Sequence, residues 1–369
     1  MKIFTQMTKH DHEQIVFGQD KEAGLRAIIA IHDTSLGPAL GGTRMWPYET
    51  EDQALNDVLR LSRGMTYKAA ATGLSLGGGK GVIIGDPDKD KSEILFRAYG
   101  RLVEGLHGRF VTGEDVGIDV RDVEWMRTET MYVVGISEAL GGGGDPSPVT
   151  ARGVYFGMQA CMEEVFGTSS LKGMTVAVQG LGHVGMNLLE LLHREHLRSF
   201  VCDLHDDRVE LAVQRFKAEP VPLGEIYDVD AEIFAPCALG AIVNDDTIPR
   251  FKFKIIAGSA NNQLADEKKH GRLLKEKNIL YAPDYVINAG GLINVANEIE
   301  AYNRERALRQ AEGIYGTLKA VFQIAREEDI PTSLASNRMA ERRIEEVSKL
   351  RRKFVTTPAV HYKGGRIFR

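Results

Sequence analysis

A glycine-rich motif between two apolar runs constrains the fold of this chain more than any other feature. Segment 174–205, MTVAVQGLGHVGMNLLELLHREHLRSFVCDLH, predicts a strand, a G-x-G-x-x-G turn, a helix and a second strand that ends in an acid. In such a βαβ unit the first glycine makes the turn, the second lets a pyrophosphate approach the backbone, and the third packs the helix against the strand. The turn consists of Gly180, Leu181, Gly182, His183, Val184 and Gly185, and the acid is Asp203.

The surroundings of this motif predict a dinucleotide site. The fingerprint alone is weak, but Asp203 lies 18 residues beyond Gly185, where an acid can bind the adenine ribose hydroxyls. Its charge would repel a 2′-phosphate, so the sequence favours NAD over NADP. Further β/α alternation in 231–238, 253–262 and 279–295 predicts an open, mostly parallel sheet. A Rossmann-like domain that binds no cofactor is the alternative.

A second glycine-rich stretch, LSLGGGKGVIIGDP at 74–87, resembles a phosphate loop only superficially. A P-loop requires G-x-x-x-x-G-K-[ST] before a helix, whereas this chain has Leu74 and Gly81 at the outer positions and a strand-like run follows. The pattern therefore argues against ATP. We expect a glycine turn that holds Lys80 in place, followed by a strand over 81–86.

Two lysines flank that turn and predict an anion site with a basic lysine. Segment 50–73 predicts a helix that starts with a capping box of Thr50 and Gln53, and Lys68 lies late in it. A single lysine is by default a solvated surface residue. Together, Lys68 and Lys80 favour a lysine whose pKa is lowered by its neighbour and by burial, as a general base requires. Asp115, in TGEDVGID, is either the partner carboxylate or an ordinary turn residue.

Length and composition set the wider limits. The chain has 369 residues, enough for two domains, and a glycine- and proline-rich stretch at 139–153 predicts the boundary between them. A net charge of −5 gives no reason to expect a nucleic-acid partner. Three cysteines without metal-ligand spacing predict a reducing compartment and no metal site. The sequence contains no apolar run long enough for a membrane span and no signal peptide, so we expect a cytoplasmic protein.

Several longer motifs are similar to those of one enzyme family. They are GPALGGTRMWPY, RGMTYKAAATGLSLGGGKGVIIGDP, TGEDVG, GDPSPVTARGV, VAVQGLGHVG, APCALGAIVNDDTI, AGSANNQL and YAPDYVINAGGLINVANE. From about residue 10 to 354 the chain resembles the leucine/phenylalanine/valine branch of the amino-acid dehydrogenase superfamily. The resemblance implies an α/β protein of two domains, an N-terminal α/β substrate domain and a doubly wound Rossmann-type NAD-binding domain, separated by a cleft. The implied boundaries are 1–147 for substrate binding and oligomerisation, 148–330 for NAD, and 331–369 for C-terminal helices that return to the first domain. A homo-oligomer, an octamer, is also implied.

The resemblance assigns roles by matching positions. Lys80 matches the catalytic base, Asp115 the residue that assists proton transfer, and Lys68 the cation that binds the substrate carboxylate. Further implied substrate-site residues are Leu40, Gly41, Gly42, Met65, Gly113, Asn261, Leu292 and Val295. Beyond the fingerprint and Asp203, the implied cofactor-site residues are Thr150, Cys237, Ala238 and Asn262, with Pro236 beside them. For Cys237 a small buried residue is an equally good interpretation.

The side-chain pocket decides the substrate class. Glutamate enzymes of the superfamily hold the side-chain carboxylate with a lysine and a serine, where this chain has Leu40 and Val295. An unpaired carboxylate against these residues would cost several kcal/mol, so we expect NAD-dependent deamination of leucine and other branched-chain or apolar L-amino acids. Gly113 and Leu292 resemble the phenylalanine-type pocket, and the missing methyl at Gly113 predicts room for a larger side chain. A phenylalanine or broad aromatic dehydrogenase is the alternative.

Two other protein classes are alternatives to an amino-acid dehydrogenase. The first is a non-catalytic NAD sensor, and the presence of Lys80 and Asp115 argues against it. The second is a hydroxy-acid dehydrogenase, which usually relies on a catalytic histidine.

Overall fold

The computed structural model describes residues 3–351, which form two compact units. Within this range the first unit comprises 3–144, 295–304 and 340–351, and the second comprises 145–294 and 305–339. The irregular tail that the sequence predicts after residue 354, and the part of the predicted 331–369 region beyond 351, lie outside the described residues.

The elements up to residue 144 are α1 (Ile3–His10), β1 (Gln14–Asp20), β2 (Leu25–Asp33), β3 (Ala39–Leu40), β4 (Thr43–Trp46), α2 (Glu51–Ala71), β5 (Gly77–Ile84), α3 (Glu93–Glu104), β6 (Phe110–Val111) and α4 (Val120–Arg127). From residue 145 onward they are α5 (Ser147–Phe166), β7 (Thr175–Gln179), α6 (His183–Arg194), β8 (Arg198–Cys202), α7 (Asp206–Phe216), β9 (Glu219–Pro220), β10 (Ile233–Pro236), β11 (Ile255–Ile256), α8 (Glu267–Glu276), β12 (Leu280–Tyr281), α9 (Asp284–Ile287), α10 (Gly290–Ala296), α11 (Arg304–Glu312), α12 (Ile314–Glu327) and α13 (Thr332–Arg351).

The sheet of the first unit is mixed and centres on β5. Its order is β1-β2-β5-β3-β6, and β4 also pairs with β5. The β1/β2 and β2/β5 pairs are antiparallel, whereas β3 and β4 run parallel to β5. Lys80 lies in the middle of β5, opposite Ala30 of β2. The residue that the sequence places at a turn is therefore part of the central strand and is paired with β2.

Helix α2 covers one face of this sheet through a continuous apolar stripe. Its buried residues recur with helical spacing and pack on β2 and β5, which is how an amphipathic helix gains most of its stability. The packed cluster consists of Ile28, Ala30, Ala54, Leu55, Val58, Leu59 and Val82. Thr50 is the N-cap, as predicted, and its side chain accepts a hydrogen bond from the Gln53 amide. The Gln53 side chain accepts from the Glu49 amide.

The sheet of the second unit is fully parallel and doubly wound. Its order is β12-β11-β10-β7-β8-β9, so the chain leaves β7 in one direction through β8 and β9 and in the other through β10, β11 and β12. The strand order reverses between β7 and β10, and open α/β sheets bind ligands at this switch point. The adjoining core is aromatic, with the Phe234 and Phe253 rings stacked 5.0 Å apart.

The predicted α/β class and the parallel Rossmann-type sheet are confirmed, and two local predictions are wrong. Gly77, Gly78 and Gly79 are not a turn but the first residues of β5. The predicted helix 154–167 begins earlier, at Ser147, within the proline-containing stretch, because Pro148 fits the first turn of a helix. Within residues 3–351, no helix combines the length and the apolar character that crossing a membrane requires.

Candidate active site

A buried lysine–carboxylate pair is the central feature of the first unit. Only 7% of the Lys80 side chain is exposed, and its Nζ lies 3.0 Å from Asp115 Oδ2. Asp115 lies in the loop after β6, where its backbone carbonyl accepts from the Ile118 amide and closes a turn. Strand and loop thus bring together the two residues that the sequence assigns to proton transfer.

The same carboxylate oxygen also meets an arginine. Arg44 of β4 donates from Nε to Asp115 Oδ2 at 2.9 Å and from Nη1 to Asp57 Oδ2 at 2.9 Å. Tyr48 donates from its hydroxyl to Asp57 Oδ2 at 2.7 Å. Three residues of this network are not among the site residues predicted from the sequence: Arg44, Asp57 and Tyr48. Arg44 and Tyr48 nevertheless lie within the motif GPALGGTRMWPY.

The environment shifts both protonation equilibria of the central pair downward. Burial lowers the pKa of the Lys80 ammonium, the nearby Arg44 charge adds to this, and Asp115 and Asp57 oppose it. Burial raises the pKa of Asp115, but the charges and hydrogen bonds of Lys80 and Arg44 outweigh it and hold that pKa below its usual range. Asp115 therefore stays ionised while Lys80 can release its proton more easily than an exposed lysine.

The glycines around Lys80 do not form a turn; they leave room for neighbouring protein atoms to approach the strand. A Cβ on Gly78 would lie 2.1 Å from the Thr66 backbone nitrogen of α2, and a Cβ on Gly81 would lie 2.0 Å from the Tyr99 hydroxyl. That hydroxyl bonds to Thr43 Oγ1 at 2.7 Å in a fully buried site. Helix α2 and Tyr99 can reach the strand only because these positions lack side chains.

Gly41 and Gly42, predicted to approach the substrate, are required by backbone packing. Their Cβ atoms would lie 1.9 Å from the Gly79 carbonyl oxygen and 2.1 Å from the Glu114 carbonyl oxygen. Any contact between their main chain and a ligand would come in addition to this requirement.

The predicted side-chain pocket residues of the first unit line the same region. Met65, on α2, lies 3.3 Å from the Cβ position of Gly41, and Lys68 is half-buried one turn further along that helix. Leu40 is buried in β3. A Cβ on Gly113 would lie 2.9 Å from the Val134 carbonyl oxygen, so the methyl that glycine omits would face Val134.

Two further predicted pocket residues lie on α10. Leu292 is buried and Val295 is half-buried. Both side chains are apolar.

The dinucleotide motif of the second unit has the local geometry that its glycines predict. Gly180 has φ +99°, a conformation that favours glycine, and a Cβ on Gly185 would lie 2.1 Å from the Gly180 carbonyl oxygen. A Cβ on Gly182 would meet nothing within 4 Å, so this side of the loop is open. Helix α6 begins at His183 and no side chain caps it, which leaves its first amides for a phosphate.

The acid at the end of β8 organises this loop. Asp203 accepts from the Leu181 amide at 2.6 Å and from the His205 amide at 2.9 Å. Arg208 Nη1 lies 3.7 Å from Asp203 Oδ1, and this cation is not among the residues predicted from the sequence. His183 Nδ1 lies 3.5 Å from Asp145.

The loop after β10 completes the switch point. Ala238 Cβ would lie 2.7 Å from a Cβ on Gly180, and the Cys237 amide donates to the Gln179 carbonyl at 2.7 Å. Burial raises the pKa of the Cys237 thiol, so this cysteine is a packed neutral residue beside the glycine loop.

Two asparagines and a threonine lie near the same edge of the parallel sheet. Asn261 Oδ1 accepts from Asn288 Nδ2 at 2.7 Å, and Asn262 is exposed with φ +51°. Thr150, in the first turn of α5, donates to the Pro146 carbonyl and lies against Gly290. Asn288 is the one residue of this group that the sequence analysis missed, and its Oδ1 is buried without a hydrogen-bond partner.

Two family models match the chain. Residues 12–132 match the dimerisation domain of the Glu/Leu/Phe/Val dehydrogenases, and residues 198–352 match the Glutamate/Leucine/Phenylalanine/Valine dehydrogenase model. Together they cover most of both units, including Lys80, Asp115 and Asp203.

Named relatives share most of their length with this chain. A leucine dehydrogenase of Thermoactinomyces intermedius is 59% identical over 355 residues, which are 96% of this chain and 97% of that protein. A phenylalanine dehydrogenase of Lysinibacillus sphaericus is 51% identical over 91% of this chain and 89% of its own. The crystal structure of L-tryptophan dehydrogenase from Nostoc punctiforme has a TM-score of 0.85 at 49% identity and covers 94% of this chain and 99% of its own.

Proposed function

Because the chain belongs to the Glu/Leu/Phe/Val dehydrogenase family, we propose that it catalyses the reversible, NAD-dependent oxidative deamination of L-leucine and other branched-chain or apolar L-amino acids. The reaction converts the amino acid, NAD⁺ and water into a 2-oxo acid, ammonium, NADH and a proton. The observation that carries the proposal is the pairing of buried Lys80 with Asp115, 3.0 Å apart.

The cofactor site fits NAD by its own chemistry. The open side of Gly182 and the uncapped start of α6 can accept a pyrophosphate, and Asp203 can accept from ribose hydroxyls. Thr150, Cys237, Ala238, Asn261 and Asn262 are the other residues that we assign to nicotinamide, adenosine and substrate amine. When bound, NAD would supply the redox chemistry that the protein lacks, as the acceptor of the hydride from the substrate α-carbon.

The protein residues orient the amino acid and move protons. Lys68 binds the α-carboxylate as a point charge. Neutral Lys80 accepts a proton from the water that adds to the imino carbon, so the new C–O bond forms as the base is charged. The Asp115 carboxylate stays ionised and holds the resulting Lys80 ammonium, which gives its proton to the nitrogen of the carbinolamine. Neutral Lys80 then takes the proton of the carbinolamine hydroxyl as the C–N bond breaks, and ammonia leaves the 2-oxo acid.

The apolar wall supports the substrate class. Leu40, Met65, Gly113, Leu292 and Val295 offer no partner for a side-chain carboxylate, which disfavours glutamate. The 59% identity to a leucine dehydrogenase favours branched chains over aromatic ones, and phenylalanine remains the second candidate.

We further propose that residues 1–147 bind substrate and mediate oligomerisation, that 148–330 bind NAD, and that 331–369 return to the first domain. The assembly would be a homo-octamer in the cytoplasm. Light scattering after gel filtration measures the assembly, and a mass well below eight chains of 40.7 kDa would contradict the octamer.

The test is NADH formation at 340 nm with a panel of L-leucine, L-valine, L-isoleucine, L-methionine, L-phenylalanine and L-glutamate. We expect kcat/KM to be highest for a branched-chain substrate and negligible for glutamate. Lys80→Ala should lose about 10²–10⁴-fold in kcat. Lys89→Ala, which removes an exposed lysine paired with Asp86, is the matched control and should retain wild-type kcat. Near-normal turnover of Lys80→Ala would remove Lys80 from the mechanism.

A further inference from the structure

Arg44 occupies a position between two carboxylates beside the proposed catalytic base. Its side chain is 22% exposed and bonds Asp115 through Nε and Asp57 through Nη1, both at 2.9 Å. Asp57 is itself fixed, since Tyr48 donates to one oxygen and Arg60 to the other at 2.9 Å. Arg44 is therefore held in one orientation from both ends.

Lys80 and Arg44 share a single acceptor. Lys80 Nζ lies 3.0 Å and Arg44 Nε 2.9 Å from Asp115 Oδ2. If Lys80 were the only cation on this carboxylate, its deprotonation would leave a largely buried negative charge unpaired, which is unfavourable. A guanidinium stays protonated at any pH at which proteins function, so Arg44 keeps its hydrogen bond when Lys80 becomes neutral.

We propose that Arg44 is a positioning residue that keeps the Asp115 carboxylate ionised and in place while Lys80 cycles between its charged and neutral forms. This inference rests on the proposed function, because it concerns the same proton transfer. Asp57 is the counterpart that orients the guanidinium and partly neutralises its charge.

The arrangement gives opposite signs for two substitutions. Among the charged groups that act on Lys80, Asp115 and Asp57 raise its pKa and Arg44 lowers it. Arg44→Met removes a repulsive charge and leaves Asp115 to Lys80 alone, so the Lys80 pKa should rise. Asp57→Asn removes an attractive charge and leaves Arg44 less neutralised, so the Lys80 pKa should fall. Damage to packing would not produce shifts of opposite sign.

The experiment is the pH profile of kcat/KM for NAD-dependent oxidation of L-leucine by the full-length protein. The substrate amine titrates identically in every variant, so the comparison is between variants. For Arg44→Met we expect the midpoint of the limb that reports Lys80 to move up by about one pH unit, with activity recovering at high pH. For Asp57→Asn we expect it to move down by about half a unit. Arg44→Lys keeps the charge and should restore part of the Arg44→Met shift.

Arg60→Met is the matched control, because Arg60 also bonds Asp57 but is 58% exposed and does not touch Asp115. Its midpoint should stay within about 0.3 unit of the wild type. An Arg44→Met profile lowered equally at all pH values, with an unchanged midpoint, would overturn the proposal. An Asp57→Asn midpoint that is unchanged or raised would also overturn it, even if Arg44→Met were inactive.

A second readout does not depend on turnover. The pH dependence of Lys80 acetylation by limiting acetic anhydride, followed on the Lys80 peptide by mass spectrometry, should show the same ordering of variants. If wild type oxidises no amino acid but the labelling midpoints shift as expected, the proposed function fails and the role of Arg44 stands. If wild type is active and the labelling midpoints of the variants coincide, the role of Arg44 fails alone.

Discussion

Gly81→Ala tests whether the strand that carries the proposed catalytic base is shaped by a buried tyrosine. The added methyl would lie 2.0 Å from the Tyr99 hydroxyl and 2.4 Å from Thr43 Oγ1, closer than any real contact. Tyr99 and Thr43 are fully buried, and Thr43 Oγ1 also bonds Thr112 Oγ1 at 2.6 Å. The strand or the hydroxyl network must therefore move.

The expected cost follows from these contacts. Overpacking a core costs about 1–3 kcal/mol. Separating the Tyr99 and Thr43 hydroxyls adds about 1–3 kcal/mol for a buried polar group that loses its partner. Together they predict a loss of about 2–6 kcal/mol in the free energy of unfolding. At about 2–4 °C per kcal/mol this corresponds to a decrease of about 4–24 °C in Tm. Scanning calorimetry at one fixed rate and protein concentration measures this.

The double variant Gly81→Ala/Tyr99→Phe separates this explanation from a general intolerance of β5. Removing the hydroxyl removes the closest clash, and Tyr99→Phe alone should cost only about 1 kcal/mol because the Thr43–Thr112 bond remains. We expect the double variant to be more stable than Gly81→Ala and to recover part of its kcat/KM. A double variant as unstable as Gly81→Ala, or less stable, would refute the argument that the tyrosine hydroxyl requires glycine at this position.

Two further predictions concern the cofactor and acid stability. Asp203→Asn keeps an acceptor for the Leu181 amide but removes the negative charge beside Arg208. The ratio of kcat/KM for NADP to kcat/KM for NAD should rise at least about tenfold, because one like charge near a phosphate costs about this much. An unchanged ratio would contradict the charge argument. His32 is buried against Thr66 Oγ1 and the His10 carbonyl, and burial lowers its pKa to about 3. Between about pH 6.5 and 3 the unfolded chain therefore binds one more proton at His32 than the folded chain does. The free energy of unfolding of the wild type should fall by on the order of 4 kcal/mol as pH decreases through this window. His12 adds to this loss, because burial lowers its pKa as well. His32→Gln should flatten this dependence in urea midpoints measured from pH 7 to 4, and a variant slope equal to that of the wild type would be evidence against the His32 assignment.

Local patterns in the sequence were sufficient for the elements whose stability is local. The alternation of apolar runs and glycines around Gly180 to Gly185 predicts β7, α6 and β8, because each glycine has a role within its own turn. The N-cap of α2 is likewise a local hydrogen bond, from the Gln53 amide to Thr50. The apolar stripe of α2 and the run of 25–33 predict a helix and a strand for the same reason.

Only the tertiary structure determined why the glycines at 77–81 are there and what surrounds Lys80. A run of glycines beside a lysine predicts a turn when only neighbours in sequence are considered, yet β2, β3 and β4 pair with this segment and make it the central strand. Gly78 and Gly81 are required by Thr66 and Tyr99, which are distant in sequence. Arg44 belongs to a strand and Asp57 to a helix, and nothing in their spacing indicates that Arg44 bridges Asp57 and Asp115. The identity of a base can be inferred from a motif, but the charges that set its protonation come from whichever side chains the fold brings within hydrogen-bonding distance.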